Sequence, residues 1–239
     1  MAPQAKRMTS AASLEAFPRI QADESFKAKV YAALKDAIFK TDIYSSADPV
    51  MLDERDLSDR LGVSRTPVRE AIAMLEQDGF LRTVPRRGIL IVRKTKREIV
   101  EMIQAWAALE SMGVRLITQD PNADVAALRQ IFQDFTDNHR PNEFLSEYSL
   151  ANLTFHQALI KMSGSQILVD TTDKLLFHVR GIRQLTIGRD GRAERSISDH
   201  LTIIEAIEQR DVKKAESLAL EHTLGLAAYV DTHGHELFD

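Results

Sequence analysis

The amino-acid sequence predicts a mainly α-helical protein, in which an N-terminal winged helix-turn-helix precedes an antiparallel bundle of about six helices. Two observations predict this fold class. Residues 53–92 have the pattern of a helix, a tight turn, a second helix and two short strands joined by a basic turn. Beyond residue 97, apolar side chains recur at helical spacing in segments separated by short breaks, which is typical of a bundle.

The N-terminal region is expected to divide into a tail, a helix and a loop. Residues 1–22 are small, polar and of mixed charge, so we expect a disordered tail. From Glu24 to Phe39 an apolar residue recurs at every fourth position, which predicts a helix that packs on the winged unit. Residues 41–49 are expected to form a loop, and the complete winged domain is expected to cover residues 23–94.

The helix-turn-helix is predicted by the residues that begin and end its helices. The first helix should run from Glu54 to Leu61 and end at Gly62, because glycine tolerates positive φ. Ser64 is suited to cap the second helix, which Gly79 closes. Polar side chains cluster at the start of this second helix, where such motifs contact base edges and where backbone N–H groups favour phosphate.

Basic charge is concentrated in the same region. Strands expected over residues 80–84 and 89–92 are joined by the cationic turn Pro85–Gly88, so the unit is winged. Residues 64–97 hold nine Lys or Arg and three acidic residues, a balance of +6, whereas the whole chain carries −4. Residues 98–239 hold 13 basic and 22 acidic side chains, or −9. This split is expected of one DNA-facing module on an otherwise acidic protein.

The run LGVSRTPVREAIAMLEQDGFL at residues 61–81, followed by PRRG at residues 85–88, closely resembles the winged helix of the GntR family of bacterial transcription regulators. The resemblance implies binding to a double-stranded DNA operator. It assigns DNA contacts to Arg55, Arg65, Thr66, Arg69 and Gly88. Ser64 at the helix start and Arg86 and Arg87 in the wing complete the expected interface, since arginine pairs bidentately with guanine or phosphate. The alternative is that these arginines form a solvated face with i,i+4 ion pairs.

The remaining sequence, residues 95–239, is expected to form one all-helical domain that binds ligand and metal and dimerises. Breaks such as Asp120-Pro121-Asn122 and Ser163-Gly164-Ser165 separate its helical segments. The six helices are expected over residues 98–118, 123–136, 142–162, 166–187, 193–208 and 212–230.

Three histidines of this domain could converge on a metal ion. Asn152 and His156 are four residues apart on one helix, hence on one face, and His200 and His222 lie on the two last helices. Imidazole suits Zn, Cu, Fe and Ni. Histidines on separate helices are, however, more often surface residues or satisfied core residues, so the spacing alone predicts a metal site only weakly.

A second resemblance strengthens the metal hypothesis. The helical part resembles the FCD effector-binding domain of the FadR-type branch of the GntR family, through NLTFH at residues 152–156, SGS at 163–165, DHLTIIEAI at 199–207 and ALEH at 219–222. The resemblance implies a divalent metal ion, Zn, Ni or Mn, held by Asn152, His156, His200 and His222. An Asp is the usual first ligand, and a neutral Asn152 should weaken the site or make it depend on an anionic effector.

Three further residues are candidates for binding the effector. Trp106 stands where many relatives have an arginine near the pocket, and it either lines the pocket or simply belongs to the core. Arg180 and Arg183, on the fourth bundle helix, are expected to hold a carboxylate, although each alone is more often a surface charge. His139, His178, His233 and His235 receive no role, and most of them are expected to be solvated.

Composition limits the class of protein. The chain of 239 residues has no Cys, 44% hydrophobic and 28% charged residues, no secretory signal and no apolar run long enough to cross a membrane, so a cytoplasmic location is expected. We expect a homodimeric transcription regulator that binds a small carboxylic acid, most often as a repressor. The alternatives are a helical metalloenzyme with an appended DNA module, in which Glu110 or Glu147 would be the base, and an interaction bundle without metal or ligand.

Overall fold

The computed structural model describes residues 26–41, 43–44, 48–133, 135, 141, 143–234 and 238. The tail expected at residues 1–22 lies outside the described residues. Helices dominate and the one sheet is small, so the predicted mainly α-helical class is confirmed. None of the described helices is long and apolar enough to span a membrane.

The N-terminal half has the predicted winged helix-turn-helix. Its elements are α1 (Phe26–Lys40), β1 (Met51–Leu52), α2 (Glu54–Leu61), α3 (Arg65–Gln77), β2 (Leu81–Val84) and β3 (Gly88–Ile91). The Asp53 carboxylate accepts hydrogen bonds from the backbone N–H groups of Arg55 and Asp56, which begins α2, and Gly62 ends it with a φ of 65°. The strands form an antiparallel sheet in the order β1-β3-β2. Strand β1 was not expected, because two residues show no periodicity.

The second half forms a helical bundle. Its elements are α4 (Lys96–Gln119), α5 (Ala126–Gln130), α6 (Leu145–Met162), α7 (Gln166–Thr186), α8 (Arg192–Glu208) and α9 (Val212–His233). Helix α4 begins with a capping box, in which Thr95 and Glu98 each bond the other's backbone N–H group. It packs against α6, α7 and α9, and so occupies the centre of the bundle. Helix α5 is shorter than the predicted 123–136, because residues 123–125 are not helical and residues 131–132 form a turn before residues 133 and 135 are again helical.

Helix α7 joins the bundle to the winged unit. The ring of Phe177 lies 4.0 Å from that of Phe80, which follows α3, and 5.5 Å from that of Phe39 in α1. Lys174 contacts Asp78 at 3.2 Å, and the same carboxylate accepts a hydrogen bond from Tyr31 at 2.6 Å. Buried residues of both halves therefore form one continuous hydrophobic cluster.

His178 is buried at this junction rather than solvated. Its side chain is 2% exposed, and its ring lies 5.7 Å from that of Phe80 and 4.9 Å from that of Phe177. No described atom bonds its Nδ1. Burial and, to a smaller extent, the charge of Lys94 lower the pKa of His178 to about 4, against the opposing charge of Glu98. His178 is therefore neutral in the folded protein at pH 7.

We expect His178 to make folding stability depend on pH. The folded pKa is about 4, below the unfolded value of about 6.5, so the unfolded chain binds the proton first as the pH falls. The free energy of unfolding has its full value above pH ~6.5 and falls by roughly 2–3 kcal/mol towards pH ~4 because of His178. In His178→Phe, the part of the decrease in unfolding free energy that His178 causes should be absent. Urea unfolding at several pH values, in the presence of a chelator, measures this difference. The other buried histidines titrate in both proteins and cancel in the comparison. An unchanged pH dependence in the variant would contradict this account.

Candidate DNA-binding surface and metal centre

The start of α3 presents polar and basic side chains to solvent. Arg65, Thr66 and Arg69 are all exposed. Ser64 has the extended backbone of a capping residue, but its hydroxyl bonds no backbone N–H group of the helix. The first N–H groups of α3 thus lack a side-chain partner from Ser64 and point to where an anion would bind.

Two of the arginines on this surface are paired within the chain. The Arg69 Nε lies 2.7 Å from a carboxylate oxygen of Glu54, and the Arg55 Nε lies 3.9 Å from one of Asp59. Because the Arg69 side chain is 67% exposed, this surface ion pair contributes little to stability. Arg65 makes no ion pair with the described part of the chain.

The wing is a tight turn that presents Arg86 and Arg87. The N–H of Arg87 donates to the carbonyl of Val84 at 3.0 Å, and Arg86 adopts a left-handed φ of 65°. Both side chains are exposed and have no ionic partner among the described residues. Gly88 has a φ of 107°, and a Cβ there would lie 2.8 Å from the Leu52 carbonyl oxygen. Gly88 therefore allows β1 to approach the wing closely.

Three histidines from three helices meet inside the bundle. His156 lies on α6, His200 on α8 and His222 on α9, and one ring nitrogen of each lies within 4.8 Å of the others. The Nε2 atoms of His200 and His222 are 3.0 Å apart. His156 and His200 are buried, and the His222 side chain is 8% exposed. This set is called the histidine trio below.

Two carboxylates orient two histidines of the trio through the Nδ1 atoms of their rings. One Glu110 oxygen lies 2.5 Å from Nδ1 of His156, and the other accepts a hydrogen bond from the Thr223 hydroxyl at 2.6 Å. An Asp199 oxygen lies 3.0 Å from Nδ1 of His222. With the proton on each Nδ1, both Nε2 lone pairs face inward, which is how carboxylates orient metal-binding histidines.

The electrostatics of the site favour neutral imidazoles at His156 and His200. Burial lowers the pKa of His156 and of His200 well below 6.5, and the nearby charge of Arg183 adds to this. Burial raises the pKa of Glu110 to about 7, against the Thr223 hydrogen bond and the charges of His222 and Arg183. Neutral imidazole is the form that binds metal. Nε2 of His156 is buried with no partner among the described atoms, so the residues present fit a divalent ion.

A cavity of about 400 Å³ opens beside His222. Its wall includes Arg183 of α7, Arg192 and Arg195 of α8, and Tyr229 of α9. The guanidinium of Arg183 donates to the Oδ1 of Asn152 and lies 5.2 Å from the Trp106 ring. Arg183 thus connects the trio with the cavity.

The other predicted residues, Asn152, Trp106 and Arg180, do not line this cavity, so the expected effector contacts of Trp106 and Arg180 are not seen there. Asn152 is buried, and its Nδ2 donates to the Ser196 hydroxyl at 3.1 Å, so both ends of its amide are engaged. Trp106 is fully buried with its ring 4.9 Å from that of His156, and it supports the cavity from behind. Arg180 stacks on Phe39 of α1, 4.2 Å from the ring centroid, and faces the winged unit.

Sequence reasoning missed two roles. Glu110 was considered only as a base for an enzyme, yet it bonds His156, and Asp199 was not considered although it precedes His200. The signal for Glu110 was its helical spacing of four residues from Trp106, which puts both on one face of α4. The partner that makes this face functional comes from α6 and is not visible in the local sequence.

Comparison with known proteins finds relatives for both halves. Residues 26–91 match the model of bacterial regulatory proteins of the gntR family, and residues 101–225 match the model of the FCD domain. The Uxu operon regulator of Haemophilus influenzae is 30% identical over 75% of this chain and 73% of its own length. The HTH-type transcriptional repressor GlaR of Escherichia coli is 24% identical over 70% of this chain and 80% of its own. Among solved structures, E. coli McbR/YncC is similar with a TM-score of 0.70 at 20% identity, over 89% of this chain and 100% of that one.

Proposed function

Because the chain belongs to the gntR family of bacterial regulatory proteins and carries an FCD domain, we propose that it is a repressor that a small carboxylic acid releases from its operator. The family consists of DNA-binding transcription regulators rather than enzymes. Two similar proteins are named repressors, which favours this sign of regulation. We assign residues 23–94 to DNA binding and residues 95–239 to ligand binding and dimerisation, in the cytoplasm.

DNA binding is assigned to the exposed face formed by the start of α3, Arg55 and the wing. In a homodimer, two copies of α3 would enter successive major grooves of a pseudo-palindromic operator. Arg65 and Arg69 are the expected base contacts, while Ser64 and Thr66 at the helix start are expected to bind phosphate. The basic surface predicts binding that weakens steeply as salt rises.

The wing conformation supports a role for Arg86 in DNA binding. A side chain in the left-handed region costs about 1 kcal/mol relative to glycine. Arg86→Gly should therefore leave the unfolding free energy unchanged or raise it slightly, while it weakens operator binding several-fold and lowers the salt slope by about one phosphate contact per wing. Thermal melting and salt-dependent anisotropy measure the two effects. A variant that loses stability, or keeps full DNA affinity, would contradict the assignment.

We assign a divalent ion, Zn, Ni or Mn, to the histidine trio, with Asn152 as the expected fourth ligand. Bound there, the ion would supply a Lewis-acid position for a carboxylate oxygen. Imidazole and amide are neutral as metal ligands, but the carboxylates of Glu110 and Asp199, which contact two of the imidazoles, would offset part of the ion's charge. The remaining positive charge, together with Arg183, favours an anionic effector.

The observation that carries this proposal is the histidine trio beside a cavity lined by Arg183, in a chain whose winged unit presents the exposed Arg65, Arg86 and Arg87. The test begins by selecting fragments of the organism's own genome with purified protein at low salt. Carboxylic acids are then added to the complex with and without Zn, Ni and Mn. We expect a specific fragment to bind and at least one acid to release it. Failure to bind any fragment, or acids that bind without affecting the complex, would overturn it.

A further inference from the structure

The cavity beside the trio has more positive charge than a single carboxylate needs. Arg183, Arg192 and Arg195 all line it, and none of them makes an ion pair with a carboxylate of the described residues. The acidic residue in the wall is Asp199, whose oxygen is engaged by His222. Carboxylates act on two of these arginines only from a distance, Glu110 on Arg183 and Asp190 on Arg192, and guanidinium groups without an ion-pair partner in a concave site favour ligands of high negative charge.

Arg192 is held in place without a direct ion pair to any described carboxylate, although the charge of Asp190 acts on it. Its guanidinium lies 4.3 Å from the ring of Tyr229, and its Nε is buried with no hydrogen-bond partner among the described atoms. The preceding Asp190 and Gly191 have left-handed φ angles of 51° and 63°, and the Tyr229 hydroxyl donates to the Asp190 carboxylate at 2.8 Å. A fixed, partly buried guanidinium with an unused donor is a strong candidate for an anion contact.

The arginines occupy two different ends of the cavity. Arg183 is at the trio end, since it bonds Asn152 and stacks on Trp106. Arg192 is at the other end, against Tyr229, which follows His222 by seven residues on α9. The charge of Arg192 acts on Arg183, and two anionic groups offset the combined charge of these guanidinium groups more fully than one.

We propose that the cavity selects an acid with two anionic groups, one beside the trio and Arg183 and the other between Arg192 and Arg195. The proposal rests on the proposed function, in which this cavity binds the effector, and it narrows the effector from any small carboxylic acid to a dianion. Arg192 and Arg195 are then specificity-determining residues. A second carboxylate and a phosphate share the required chemistry, and the experiment separates them.

The test measures the binding of matched acids to the full-length, metal-containing protein by calorimetry. Butyrate is compared with succinate, hexanoate with adipate, and glycerate with phosphoglycerate, so that each pair differs by one anionic group. We expect at least one diacid to bind tenfold or more tightly than its partner. The pair that shows the larger preference identifies carboxylate or phosphate as the second group.

Variants test whether Arg192 and Arg195 cause the preference for diacids over monoacids. Arg192→Gln and Arg195→Gln should each lower diacid affinity severalfold more than monoacid affinity, whereas Arg192→Lys should restore part of the diacid preference. Lys213→Gln, an exposed charge on α9 that does not line the cavity, is the matched control and should keep the full preference. Melting temperatures near that of the unmodified protein exclude a folding defect as the cause.

The outcomes separate this inference from the proposed function. If monoacids and diacids bind equally, or if the double variant Arg192→Gln/Arg195→Gln keeps the preference, the dianion assignment is wrong, and the proposed function stands when any acid still releases DNA. If no acid of either kind binds while the operator is still bound, the effector site itself is wrong and both proposals fall.

Discussion

Arg69→Ala is expected to weaken operator binding by roughly 100-fold or more, since each bidentate base contact contributes about 1–3 kcal/mol and a dimer loses two of them. The structure indicates that the variant should fold. The Arg69 side chain is 67% exposed, and its bond to Glu54 is a surface ion pair that contributes little to stability. Fluorescence anisotropy with operator DNA at fixed salt measures the loss.

The matched control is Arg97→Ala. Arg97 is also an exposed arginine with an ion-pair partner, Glu101 at 2.8 Å, but it lies at the start of α4 beyond the winged unit. The Arg97→Ala variant should alter operator affinity far less than Arg69→Ala does. Both variants should keep the dimer and the metal content of the unmodified protein. Equal operator affinity for Arg69→Ala and the unmodified protein would remove Arg69 from the interface.

His200→Ala is expected to abolish stoichiometric metal binding, because the side chain is fully buried and contributes one of three imidazoles. Elemental analysis and competition with a chromogenic chelator measure this loss, and added metal should no longer raise the melting temperature. His233→Gln is the control, since His233 is half-buried on α9 and stacks on Tyr229 outside the trio. Metal retained one-to-one at unchanged affinity in His200→Ala would show that the ion binds elsewhere.

Glu110 provides a finer test of the same centre. Glu110→Gln keeps the shape of the side chain but removes the carboxylate that orients His156, so metal affinity should fall about 10- to 100-fold. A local effect on the imidazole predicts that DNA binding by the metal-free protein does not change. Loss of DNA binding in that state would instead indicate a general effect on folding.

Local sequence signals predicted the elements whose causes are local. Gly62 and the helical spacing of Leu57 and Leu61 predicted α2 with the bounds that the structure has. The two-residue strand β1 was missed, because it exists only through pairing with β3. The burial of His178 was missed for a similar reason, since the ring that covers it belongs to Phe80, far away in the sequence.

The candidate site likewise has features that the sequence could predict and features that depend on long-range packing. Helical spacing correctly put Asn152 and His156 on one helix, and family resemblance brought His200 and His222 to them. Neither could predict that Arg183 of α7 engages the Asn152 oxygen, or that Arg192 is held by Tyr229, because these contacts depend on how the helices pack. Whether Asn152 also binds the ion beside Arg183 stays a prediction.

Helix α7 offers a physical link between the two halves. It carries Arg183 at the cavity and, two turns earlier, Phe177 and Lys174 against Phe80 and Asp78 of the winged unit. An acid that displaces Arg183 would act on the helix on which the DNA-binding unit packs. Such a link must be reciprocal, because a ligand that changes DNA affinity has its own affinity changed by DNA by the same factor.

The central claim is that acid binding in the bundle and operator binding by the winged unit are coupled. The most direct measurement is the affinity of one acid for the protein, determined by calorimetry with and without saturating operator DNA. The account predicts weaker acid binding to the DNA complex, by the same factor by which that acid weakens operator binding. Identical acid affinity in the two states would contradict it.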